Sequence, residues 1–124
     1  GLMKSNFIKF QGNYFISAKN CLFHVNNEIT PYFFNNTIIT LLNESDTALW
    51  LGTINNGIRK FKYINNKLIQ SKHLFVDESI TSVLNDSEGG YWFTSLNKGV
   101  YYIANPEISL ELFALDLHFS QYLA

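Results

Sequence analysis

Three histidines, ten acidic residues and one cysteine are the groups of this chain that could bind a metal or move a proton. His24, His73 and His118 are far apart, with no His-x₃-His pair and no cysteine partner, so their spacing does not suit a zinc site. Asn85-Asp86-Ser87-Glu88-Gly89-Gly90 sets oxygen-bearing side chains before a glycine, as a calcium loop does. Its twelfth position is Leu96, where a helix–loop–helix site needs a bidentate glutamate, so a solvated turn is expected instead. Asp77-Glu78 and the Glu44/Asp46 pair are candidate carboxylate pairs for glycoside hydrolysis. Neither has a recognisable positioning partner, and neighbouring residues on a strand point to opposite faces. No Gly-x-Ser-x-Gly, phosphate loop or Cys–His nucleophile pattern occurs. Cys21 has no partner for an internal disulfide and reads as a small buried hydrophobe.

A second kind of chemistry is recognition. Tyr32, Phe33, Phe34, Tyr91, Tyr101 and Tyr102 offer flat faces for stacking on sugar rings, and asparagine-rich turns offer hydrogen bonds to hydroxyls. The competing expectation is that alternate members of each strand pack in the core, so none is assigned to a ligand. Asn35, Asn43 and Asn85 each begin an Asn-x-Ser/Thr sequon. No catalytic, metal or cofactor residue is assigned.

The composition shows what must position these groups. The 124 residues are 47% hydrophobic, 16% aromatic and only 15% charged, with net charge −1. Aromatic side chains favour strands, and abundant asparagine favours turns over helices. No basic stripe occurs, so no nucleic-acid partner is expected. No stretch reads as a membrane helix or a signal peptide. The opening Gly1-Leu2-Met3 does not read as a natural start, which suggests a piece of a longer protein.

An internal repeat organises the chain. Residues 37–61 and 79–103 align without a gap at an offset of 42. The matches are Ile38/Ile80, Leu42/Leu84, Asn43/Asn85, Ser45/Ser87, Trp50/Trp92, Asn55/Asn97 and Gly57/Gly99. A weaker copy upstream sets Tyr14 at the place of Trp50 and Cys21 at the place of Gly57, so its turn must differ or tolerate a side chain. Each copy reads as apolar runs (38–42 and 80–84), polar turns (43–47 and 85–90), a tryptophan strand (49–53 and 91–95), a hairpin with glycine, and a third strand (58–63 and 100–103). Asn65-Asn66 turns the chain into a fourth strand over 68–72. Four strands in about 42 residues is the blade of a β-propeller. The expected fold is therefore all-β: a propeller fragment of about three four-stranded antiparallel blades, over 7–36, 37–78 and 79–106. Residues 107–124 would begin a further blade or form an irregular tail; Ile108, Leu110 and Leu112 alternate like a strand. Trp50 and Trp92 are expected between blade faces. The small pairs Gly52-Thr53 and Thr94-Ser95 would let blades approach near the axis. Three blades are too few to close a ring, so further blades of a parent chain or a self-associated copy would cover the open faces.

Ile80-Thr81, Asp86, Gly89, Trp92, Thr94-Ser95 and Gly99-Val100-Tyr101-Tyr102-Ile103 together resemble the two-component regulator propeller repeat. Ile38, Trp50-Leu51-Gly52-Thr53 and Gly57-Ile58 carry the same pattern. Thr94 departs from it where a glycine is usual, as does Thr47-Ala48 at the turn. The resemblance covers roughly residues 12–106. It implies the periplasmic, extracytoplasmic sensor of a membrane-anchored hybrid histidine kinase, non-catalytic itself and responding to oligosaccharide. A propeller scaffold for protein–protein contact is the alternative expectation, and a propeller enzyme acting on polysaccharide is a third.

Overall fold

The computed structural model describes residues 6–46 and 48–104. Expectations for the chain start, Thr47, Asn105-Pro106, His118 and the alternating run from Ile108 lie outside the described residues. The described residues form strands and turns with no helix. The first sheet holds β1 (Asn6–Phe10), β2 (Asn13–Ala18), β3 (Cys21–Val25) and β4 (Ile29–Phe33). The second holds β5 (Ile38–Glu44), β6 (Ala48–Thr53), β7 (Ile58–Ile64) and β8 (Lys67–Leu74). The third holds β9 (Ile80–Asn85), β10 (Tyr91–Ser95) and β11 (Gly99–Ile103). Every pairing is antiparallel and joins strands adjacent in sequence. The fold is all-β, with three sheets of four, four and three strands among the described residues, not three of four.

Local chemistry sets the turns. Gln11-Gly12 and Asn65-Asn66 are two-residue hairpins whose central φ values are 48° and 77°, and 51° and 64°. Such turns need both residues left-handed, which Gly and Asn accept most readily. Gly57 and Gly99 sit at +72° and +88° in the hairpins after β6 and β10. The polar turns begin later than the pattern suggests: Asn43 and Glu44 continue β5, and Asn85 ends β9. Both stay in register, Asn43 opposite Leu49 and Glu44 opposite Ala48, so strand pairing outweighs their turn preference.

The 42-residue offset recurs in backbone geometry. The amide of Ile54 donates to the Thr37 carbonyl, and the amide of Leu96 to the Ser79 carbonyl, each at 2.9 Å. A bulge falls between Ile38 and Thr40 opposite β6, and the matching irregularity lies where Ile80 and Ser82 face Ser95 and Thr94.

The upstream copy needs a correction. Phe15 pairs with Ile8 and His24, as Trp50 pairs with Leu42 and Lys60. Phe15, not Tyr14, is therefore the counterpart of Trp50. Cys21 does occupy the place of Gly57, because Leu22 pairs with Ser17 as Ile58 pairs with Gly52. The β2–β3 hairpin is one residue shorter, and Lys19 supplies its positive φ of 54°. That deletion slides the strand before the turn by one position, which exchanges its two faces.

The sheets stack in chain order. The first strand of each touches the first strand of the next. Phe10, Phe15 and Leu22 of the first sheet pack against Leu41, Leu49, Leu51 and Phe61 of the second. On its other face the second sheet presents Trp50, Ile58 and Leu74 to Ile80, Tyr91 and Phe93 of the third. Thr40 Oγ1 donates to the Ile80 carbonyl at 2.6 Å, and a methyl group on Gly52 would lie 2.8 Å from that same oxygen. Gly52 thus sets how closely the second and third sheets approach, as its small size suggests.

Candidate functional site

The most elaborated polar cluster lies between the second and third sheets. Trp50, mid-strand in β6, pairs with Lys60 of β7 and is 1% exposed. Glu44, at the end of β5, faces the same way as Leu42 and reaches back over the indole. Its Oε1 accepts from Trp50 Nε1 at 2.8 Å, and its Oε2 accepts from the Tyr91 hydroxyl of β10 at 2.6 Å. Lys60 is only 8% exposed, with Nζ 3.9 Å from Glu44 Oε1. Its ammonium lies 5.3 Å from the centre of the Trp50 ring and 5.6 Å from that of Tyr91. A buried lysine is costly unless paired. Here a carboxylate and two aromatic faces share its charge, the latter by cation–π attraction.

Two homologous layers flank this one. In the first sheet His24 holds the place of Lys60 and stacks on Phe15, with ring centres 4.6 Å apart at 12°. His24 Nε2 lies 2.9 Å from Asn13 Oδ1 and 3.4 Å from the Tyr63 hydroxyl of the second sheet. Burial pushes the His24 pKa below its ordinary 6.5, which favours the neutral ring. In the third sheet Tyr102 holds the place and tilts over Trp92 at 4.6 Å. Gly90 makes room for it: a methyl group there would lie 2.7 Å from the Tyr102 ring. Trp92 is only half-buried.

The remaining sequence candidates disperse. His73 Nε2 lies 2.7 Å from the Asn56 carbonyl, away from His24. No group of three or more His, Cys, Asp or Glu that could hold a metal occurs among the described residues. Asp86 Oδ1 accepts from the amides of Glu88 and Gly90 at 2.9 and 2.8 Å, which is turn chemistry. Asp77-Glu78 lies in the connection between β8 and β9, not on a strand. Glu78 Oε2 accepts from Ser95 Oγ at 2.7 Å, and its carboxylate also bonds the buried Tyr101. Burial first, then the Glu78 charge and hydrogen bond, push the Tyr101 pKa up to about 12. Glu44 faces the cleft while Asp46 is exposed, so that pair is not a dyad. Cys21 is buried, as expected of a small hydrophobe.

Of the stacking candidates, Tyr91 and Tyr101 are buried, and Tyr101 stacks on Phe75 at 4.7 Å. Tyr32 and Phe34 pack on the core between the first two sheets. Tyr102 lies over Trp92, and Phe33 is 72% exposed. The sequon residues Asn35, Asn43 and Asn85 are all exposed. Sequence reasoning missed Lys60 and the inward turn of Glu44. Strand alternation carried the signal for the first, because Ile58 and Lys60 share one face.

Leu42, Asn43, Glu44, Ser45, Trp50, Val83, Asn85 and Tyr91 line a cleft of about 240 Å³ between the sheets. Pockets for drug-sized ligands span about 300–1,000 Å³. The cleft therefore has room for a single small ring or a side chain. Both oxygens of its one carboxylate already accept protein donors, so the arrangement suits packing and recognition better than proton transfer. Comparison with protein-family models, curated proteins and solved structures finds no match.

Proposed function

We propose that the chain is part of a β-propeller serving as the non-catalytic ligand-sensing region of a two-component sensor. One observation carries the propeller reading: sheets of equal register stack in chain order with their first strands in contact. The paired Ile54–Thr37 and Leu96–Ser79 bonds support it, because they repeat at the sequence offset of 42. The sensing role, its periplasmic setting and an oligosaccharide ligand follow from the resemblance of the Trp50 and Trp92 repeats. A cleft of 240 Å³ would hold one sugar ring at most, so an oligosaccharide would also need surface from neighbouring sheets. Binding would act by preferring one arrangement of the sheets over another.

Thermal unfolding with a panel of oligosaccharides tests this reading. A ligand at 100 times its Kd adds about 2.7 kcal/mol, which raises Tm by roughly 10 °C or more in a domain of this size. A full-length parent whose signalling is unchanged after deletion of these sheets overturns the sensing role. Stable capture of a protein partner with no response to glycans favours the scaffold alternative.

A further inference from the structure

Among the described residues the two outermost sheet faces are both apolar, and they are of opposite kinds. On the third sheet Leu84, Trp92 and Tyr102 form a row across the strands that points away from the second sheet. Leu84 is 64% exposed. The same row in the second sheet, Leu42–Trp50–Lys60, is covered by the third sheet, and Trp50 is 1% exposed there.

On the first sheet the outward rows are Phe7–Ile16–Phe23–Pro31 and Lys9–Tyr14–Val25–Ile29. Phe7 is 60% exposed and Tyr14 is 41% exposed. By register Phe7 corresponds to Leu41 and Tyr14 to Leu49, which the first sheet covers to 5% and 0%. One end of the stack therefore shows the kind of face that receives a following sheet. The other end shows the kind that receives a preceding sheet.

We infer that a second copy of this chain docks head to tail, its Phe7 face on the Trp92 face of the first. The contact continues the relation that joins the first sheet to the second and the second to the third. Charge permits it: Lys9 is the sole Lys, Arg, Asp or Glu among these outward rows. Thr94 replaces Gly52 at the point of closest approach and bonds the Thr81 and Ser82 hydroxyls at 2.7 and 2.8 Å. The joint between copies is accordingly wider near the first strands than the joint between the second and third sheets. Such an interface is heterologous, so repetition closes a ring only if the rotations sum to a full turn. The docking rests on the propeller reading of the stack and is independent of the sensing role.

Sedimentation of the whole chain tests it, with Leu84→Glu and Phe7→Glu as variants at exposed positions. The wild type is expected as an assembly of two or more 14.3 kDa chains. Each variant alone keeps one sound face of one kind and is expected to be monomeric. An equimolar mixture of the two restores one joint and yields a dimer. A monomeric wild type overturns the docking, including the case in which residues 105–124 of the same chain cover the Trp92 face. A single variant that still dimerises overturns it too, because like faces would then be pairing. A mixture that stays monomeric does the same. The internal stack is read separately by Gly52→Ala: a normal stability for that variant counts against the propeller reading, whatever the mass.

Discussion

Gly57 carries two separable demands of the fold, and alanine substitutions measure both. Its φ of +72° costs an L-residue about 1–2 kcal/mol. An added methyl group would also lie 2.6 Å from the Phe75 carbonyl oxygen and closer still to that of Leu74. Those are backbone atoms and cannot swing aside. Relief requires the β6–β7 hairpin to move off the β8–β9 connection. That movement breaks the bond from the Gly57 amide to the Glu78 carbonyl, now 2.7 Å. Overpacking costs about 1–3 kcal/mol, and a lost hydrogen bond about 1 kcal/mol. Gly57→Ala is therefore expected to lose about 4 kcal/mol in all.

Two controls isolate the parts. Gly12 has φ of +77° with nothing within 4 Å of its added methyl, so Gly12→Ala should lose only about 1–2 kcal/mol. Gly52 has no positive φ but meets the Ile80 carbonyl at 2.8 Å, so Gly52→Ala should lose about 2 kcal/mol from crowding alone. Urea unfolding followed by tryptophan fluorescence gives the three values, provided the slopes agree. Equal losses for Gly57→Ala and Gly12→Ala would refute the close approach of hairpin and connection.

Glu44→Ala strips the acceptor from Trp50, Tyr91 and Lys60 together and should cost about 3 kcal/mol in urea unfolding. Lys60→Met keeps the stem and leaves Glu44 its two donors, so a loss under about 1 kcal/mol is expected; the reverse order would contradict the cluster's assignment. The folded pKa of His24 is depressed below 6.5, so its contribution is whole above that pH and is lost as pH falls through the folded value. Urea midpoints between pH 8 and pH 5 should therefore fall more steeply in the wild type than in His24→Gln. Tyr101, raised to about 12, contributes fully below pH 10 and loses its contribution between pH 10 and 12; Tyr101→Phe should flatten that stretch of the alkaline stability curve.

The second and third sheets were legible because their repeat has no gap. Trp50, Trp92, Gly57 and Gly99 keep one offset in both sequence and register. The first sheet was not, because a one-residue deletion in a hairpin leaves the composition of a strand intact while exchanging its faces. Tyr14 and Phe15 are both aromatic, so residue type could not choose between them. Pairing to Ile8 and His24 does. The site was hidden for a related reason. Lys60 and Glu44 are residues whose default is solvent, and alternation alone places Lys60 inward. The bonds that make this tolerable come from Tyr91, 47 residues from Glu44 in sequence.

The three equivalent layers show which part of the repeat is constant and which is free to vary. The second strand supplies a large aromatic each time: Phe15, Trp50 and Trp92. The third strand supplies its companion, and that companion is His24, Lys60 or Tyr102. Each companion needs a different satisfier from the following sheet. A neutral histidine takes a tyrosine hydroxyl, and a lysine takes a tyrosine face beside a carboxylate of its own sheet. Tyr102 stands in the last layer of the stack among the described residues. Whatever sheet covers Trp92 must therefore answer a phenol, not an ammonium or an imidazole. In the head-to-tail joint that sheet presents Phe7, Tyr14 and Lys9. Lys9 already lies 5.8 Å from the Tyr14 ring centre, so a cation and an aromatic face approach the Tyr102 ring together. Lys9→Glu should then weaken association in sedimentation while leaving the melting of the single chain unchanged. Equal association of Lys9→Glu and wild type would place the contact elsewhere on that face.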